Sequence, residues 1–153
     1  MNRLIIARFW PFALILLLIC FTYLYSVKNV EQQKGTQCQL FETQTCVVSI
    51  QGLDFSGRLL RTAEVEEEIN IELAYPSQYT LQQSYIQGIN MYMGQTALIN
   101  TASSAEDGVT TAQYLFFLGA CSERDMRWQI VLLFVNPATL DEKRLFFNFD
   151  THY

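Results

Sequence analysis

The chain has 153 residues, half of them apolar, and a formal net charge of −5. That length suits one domain with a short appendage, and eight Tyr, eleven Phe and two Trp beside ordinary Gly and Pro exclude a disordered or low-complexity chain. Arg3 and Arg8 precede the first apolar run, so the remainder is more acidic still, which argues against nucleic acid and against an anionic membrane surface.

Phe9 to Val27 is almost uncharged and centres on Leu14-Ile15-Leu16-Leu17-Leu18-Ile19. About 20 residues at 1.5 Å each cross a bilayer, so this run reads as one N-terminal transmembrane helix. Arg3 and Arg8 hold residues 1–8 in the cytoplasm by the positive-inside rule, and Trp10, Tyr23 and Tyr25 fall where interfacial aromatics do. A cleaved signal peptide needs a small-residue site that Phe21-Thr22-Tyr23-Leu24-Tyr25-Ser26 does not offer. A lipid-bearing Cys20 would follow the bulky Ile19. The run therefore reads as an uncleaved anchor.

Lys28 to Gln37 is polar and unpatterned, a tether. Translocation puts Cys38, Cys46 and Cys121 in an oxidising compartment. Cys38 and Cys46 enclose seven polar-rich residues and form the natural local pair, a staple worth roughly 2–3 kcal/mol by loop entropy. Pairing of Cys121 with either of them stays open. Otherwise Cys121 is an odd thiol, a candidate for reactivity or metal.

Cys46 to Ile50 reads as a strand, and Phe55 to Thr62 as a weaker one. Glu64 to Glu68 is an acidic face without the oxygen-ligand spacing of a calcium loop. Ile69, Ile71, Leu73 and Tyr75 alternate with Asn70, Glu72 and Ala74 in a half-buried strand ended by Pro76. Gln82 to Met93 reads as one extended run, with Gly88 marking a bulge or close backbone approach. Thr96 to Asn100 is a short strand, Thr101 to Gly108 a loop, and Gln113 to Cys121 a central strand. Met126, Trp128, Ile130, Leu132 and Phe134 share an inward face, Asn136-Pro137-Ala138 turns the chain, and Leu145 to Asp150 is the last strand. Internal repeats are absent. The expectation is an all-β, antiparallel β-sandwich over residues 38–153, preceded by the anchor (9–27) and tether (28–37).

Enzymatic constellations fail for lack of parts. The single histidine, His152, sits at the tail, and there is no phosphate-binding glycine loop, no His-Glu-x-x-His and no Cys-x-x-Cys. Soft sulfur remains. Met91 and Met93, two apart in a strand, share a face. Cys121 and Met126 bracket the polar Ser122 to Asp125, a hairpin-length loop that would set them opposite one another. Three thioethers and one thiol converging at one end of a sandwich select copper(I), with His152 as a supplementary ligand if the tail folds back. The competing reading makes Met91 and Met93 core filler in a metal-free interaction module whose Tyr- and Phe-rich edge docks on a membrane complex.

Asn90-Met91-Tyr92-Met93-Gly94, then Gly119-Ala120-Cys121 followed by Met126-Arg127-Trp128-Gln129, behind an anchor and a Cys…Cys pair, resembles small membrane-anchored periplasmic proteins of Gram-negative bacteria. These are similar in outline to FixH-type and YtkA-type immunoglobulin-like domains. The resemblance implies an immunoglobulin-like fold in the periplasm at the inner membrane and copper handling in cytochrome oxidase assembly. It implies Met91, Met93, Cys121 and Met126 as copper(I) ligands, and a membrane respiratory complex or another copper carrier as partner. Histidine, common in such sites, is missing from this domain's interior, which disfavours copper(II).

Overall fold

The structure is a computed structural model describing residues 14–21, 35–120 and 122–152. The described residues fall into two units. In the first, residues 14–21 are helical and exposed, with Leu14 to Ile19 and Phe21 facing outward. Among the described residues no helix is long and apolar enough to cross a membrane. The rest of the expected anchor, residues 9–13 and 22–27, lies outside them.

The second unit is two five-stranded sheets built from β1 (Thr36–Gln39), β2 (Cys46–Ile50), β3 (Leu53–Leu59), β4 (Glu68–Pro76), β5 (Thr80–Gly88), β6 (Gln95–Ala97), β7 (Ile99–Glu106), β8 (Val109–Phe117), β9 (Asp125–Val135) and β10 (Glu142–His152). One sheet has the order β1-β10-β9-β5-β6, the other β2-β3-β4-β8-β7. Every pairing is antiparallel except β1 with β10, so the expected antiparallel sandwich carries one parallel edge. β1 opens at Thr36, taking Thr36 and Gln37 out of the expected tether.

Alternation decides which side of each strand faces the core. Ile69, Ile71, Leu73 and Tyr75 of β4 are buried, as are Met126, Trp128, Ile130, Leu132 and Phe134 of β9. They meet Phe55, Phe116, Phe147 and Phe149 in one core, where Phe55 packs with Tyr79 and Phe134, Tyr75 with Phe134, and Phe116 with Phe149, at centroid distances of 4.8–6.0 Å. Each such side chain stabilises the fold by ~1.5–3 kcal/mol relative to exposure. Gly57 leaves room for the Phe147 ring, 3.1 Å from where a β-carbon would stand. The Cys38–Cys46 disulfide joins β1 to β2, tying an edge of one sheet to an edge of the other.

Four expectations are corrected. β5 stops at Gly88, so residues 89–94 are loop and Met91 and Met93 do not share a strand face. The expected loop 101–108 is mostly β7, whose small polar residues are exposed on both faces and leave no apolar alternation to read. Asp107 and Gly108, with φ of 50° and 78°, are the two-residue turn into β8. β8 and β9 lie in different sheets and form no hairpin; Met126 faces Thr151. Finally, β10 runs through His152, which is a strand residue rather than part of a loose tail.

Candidate functional site

The methionine-bearing end is built where β5 leaves its partner. After Gly88, opposite Trp128, the ladder gains one more backbone bond, from Ile89 N to Arg127 O at 2.7 Å. The Asn90 side chain then takes over. Its Nδ2 donates to Asp125 O at 2.9 Å, and its Oδ1 accepts from Arg127 N at 2.9 Å. A side-chain amide carries a donor and an acceptor like a peptide group, so it pairs with a strand as another strand would. Asn90 thereby clasps the 89–94 loop onto the start of β9.

Gly88 is there because nothing larger fits. A β-carbon on it would stand 2.2 Å from the Met91 carbonyl oxygen and 3.2 Å from Met126 Cε. The close approach expected at this glycine is therefore a meeting of the Met91 backbone and the Met126 side chain at one point. Met126 is 1% exposed, within the core. Met91 and Met93 are half-buried and pack against that core, while Tyr92 between them is 72% exposed. Gly94, at φ +75°, turns the chain into β6. Cys121 lies outside the described residues.

Two further contacts close this end. Trp128 Nε1 donates to Thr151 Oγ1 at 3.0 Å, satisfying the buried indole. His152 Nδ1 lies 2.8 Å from Asp125 Oδ1, with both side chains well exposed, so the pair adds little stability. Neither the clasp of Asn90 nor the pairing of His152 with Asp125 was anticipated from the sequence. An Asn directly after a strand's terminal Gly-x is the one local signal for the clasp.

The far end of the same strands is held by charge. Tyr79 Oη donates to Asp141 Oδ2 at 2.6 Å, Lys143 Nζ sits 3.0 Å from the same oxygen, and Lys143 also donates to Gln51 Oε1 at 2.7 Å. The Tyr79 hydrogen bond, then the Lys143 hydrogen bond, hold the Asp141 carboxyl below its ordinary value. The same hydrogen bond, with burial next, raises the Tyr79 phenol. Every group here is consumed by a partner, which makes this a structural lock.

Chemically, the methionine end offers thioether sulfur and neutral amides. Among the described residues no group of three or more His, Cys, Asp and Glu is placed to hold a metal ion. Comparison with protein families, with characterised proteins and with solved structures finds no match for this chain.

Proposed function

We propose that this chain is a copper(I)-binding accessory or metallochaperone factor. In this reading residues 9–27 anchor it in the bacterial inner membrane and the β domain stands in the periplasm beside a respiratory complex or another copper carrier. The observation that supports it most is that Met91 and Met93, half-buried, pack against the core that holds Met126, whose Cε approaches Gly88 from the same side as the Met91 carbonyl. Met126 is the floor, and Met91 and Met93 the rim. Neutral thioethers suit a monovalent soft ion in a low-dielectric rim, where carboxylates and imidazoles would favour harder metals. Cys121 completes the donor set. Copper(I) is the cargo, handed on by exchange of one sulfur ligand for another. The Cys38–Cys46 disulfide supports an oxidising compartment.

The immunoglobulin-like assignment is supported by strand order. β4-β8-β7 matches the B-E-D run of that sandwich, and β5-β9-β10 matches C-F-G. β3 stands in the place of A beside β4; β1, β2 and β6 are additions, and the disulfide joins β1 to β2 instead of the B and F strands.

The test is titration of the full chain with copper(I) under reducing conditions against a chromogenic chelator. One equivalent is expected, and Met91→Leu, Met93→Leu, Met126→Leu and Cys121→Ser each weaken uptake by roughly tenfold or more, about 1.4 kcal/mol. Leucine keeps the packing volume, so folding is retained. No stoichiometric uptake, or uptake indifferent to all four changes, overturns the copper reading. The second reading, a metal-free interaction module, is favoured by the full burial of Met126 and the exposure of Tyr92. It predicts that Tyr92→Ala weakens capture of the membrane partner while copper is never retained.

A further inference from the structure

Two sheets have four edges, and three of them are protected. β1 and β2, of four and five residues, are tied together by the Cys38–Cys46 disulfide, and β6 has only three residues. The fourth, β7, has eight residues, all exposed, and among the described residues lies beside β8 alone in its sheet. It carries no Lys, Arg or Pro, the devices that usually blunt an edge, and its one charge is Glu106 at the end. A row of backbone donors and acceptors fringed by Ala, Ser and Thr is a template for another strand.

We propose that β7 is a self-pairing edge, on which two copies of this chain join antiparallel into one continuous ten-stranded sheet. Symmetry and the bulge between Asn100 and Ala102 fix the register. A two-fold axis perpendicular to a sheet keeps each face on its own side, so it passes through a residue and pairs residues of like parity. The regular stretch beyond the bulge, Ala102–Glu106, is centred on Ser104. Ser104 then faces its own copy, Ser103 faces Ala105, and Ala102 faces Glu106. No like charges oppose one another, whereas parallel pairing would set the two Glu106 carboxylates side by side. The small side chains allow the ~4.8 Å spacing of paired strands. Five residue pairs bury well under ~1,200 Å², so the dimer is weak and transient.

The experiment is sedimentation velocity of the full chain in detergent micelles from about 10 to 500 μM, the range in which weak interfaces assemble. The wild type shifts from monomer to dimer with concentration. Ser104→Lys puts two ammonium groups on the axis and weakens the dimer by about tenfold or more. Ala102→Lys, only two residues away, sets a lysine against Glu106 of the other copy and tightens it. Both substitutions add one positive charge to the same exposed edge, so opposite outcomes cannot come from misfolding, net charge or association through residues 9–27. A chain that stays monomeric throughout overturns the proposal. So do three proteins that sediment alike, or an edge that takes up only an unrelated extended peptide.

Discussion

The two ends of the β5–β9–β10 ribbon stand roughly 30 Å apart, ten residues at about 3.3 Å each, and are closed by opposite chemistry. At one end Tyr79, Asp141, Lys143 and Gln51 form a chain of charged and hydrogen-bonded groups with each partner spoken for. At the other, a neutral amide from Asn90 holds a loop over Gly88, and two half-buried methionines, Met91 and Met93, pack against the core there. The contrast separates a lock from a candidate site. Charges that satisfy one another specify a geometry and have nothing left to offer a ligand, whereas a loop held by uncharged bonds carries half-buried thioether side chains at the edge of the core.

The sharpest way to break the comparison is at Met126. If its thioether is mainly core, Met126→Ala opens a cavity beneath the 89–94 loop and costs ~2–5 kcal/mol, read as a drop in the urea midpoint followed by Trp128 fluorescence. Met126→Leu costs under ~1.5 kcal/mol. The pair separates packing from ligation, because the leucine variant keeps the fold whether or not copper uptake goes with it. A leucine variant as unstable as the alanine one would mean that sulfur itself, and not volume, is what this position requires.

Next is Asn90. Asn90→Ala removes two hydrogen bonds to the start of β9 and is expected to cost about 1–2 kcal/mol, since exposed amides regain water. Its local effect is larger than its global one: amide hydrogen exchange in residues 89–94 speeds up while the centre of β9 stays protected. Asn90→Asp keeps the acceptor for Arg127 N and loses the donor to Asp125 O, setting a carboxylate against a carbonyl. It should loosen the loop at least as much as alanine. Unchanged exchange in both variants would show that Gly88 and Ile89 alone hold the loop.

What could be read from the sequence, and what could not, follows the same division between local and distant causes. The inward face of β9, the limits of β2, the burial along β4 and the disulfide between Cys38 and Cys46 all rest on side-chain alternation or short spacing, which a sequence displays directly. β7 escaped because both its faces are exposed and its residues are small, so alternation carries no contrast; the Asp107-Gly108 turn was the missed clue. The β8–β9 connection was misjudged because loop length does not say whether two strands share a sheet. Asn90 and Tyr79 find partners 35 to 62 residues away, contacts that no local period encodes.

The smallest effect sharpens the comparison through pH. Asp141 titrates below the ordinary 3.8 in the folded chain, so the unfolded chain binds its proton first as pH falls. The stabilisation from Tyr79 and Lys143 is therefore fully present above 3.8 and is lost as pH drops through that value towards the folded one. Tyr79 has the reverse sense: its phenol is raised above 10.0, so its contribution is complete below 10.0 and is lost as pH rises through the folded value. A melting temperature flat between about pH 5 and 9, falling on both sides, is the expected profile. Tyr79→Phe lowers the plateau, flattens the acid limb most and removes Tyr79's share of the alkaline one, leaving that of Tyr75, whose phenol burial pushes up to about 12; Lys143→Met flattens the acid limb less. Asn90→Ala and Met126→Leu shift the whole curve without changing its shape, because neither an amide nor a thioether takes up a proton in this range. Acid limbs of equal steepness in Tyr79→Phe and the wild type would place the titrating group elsewhere and remove the charge lock from the account of this end.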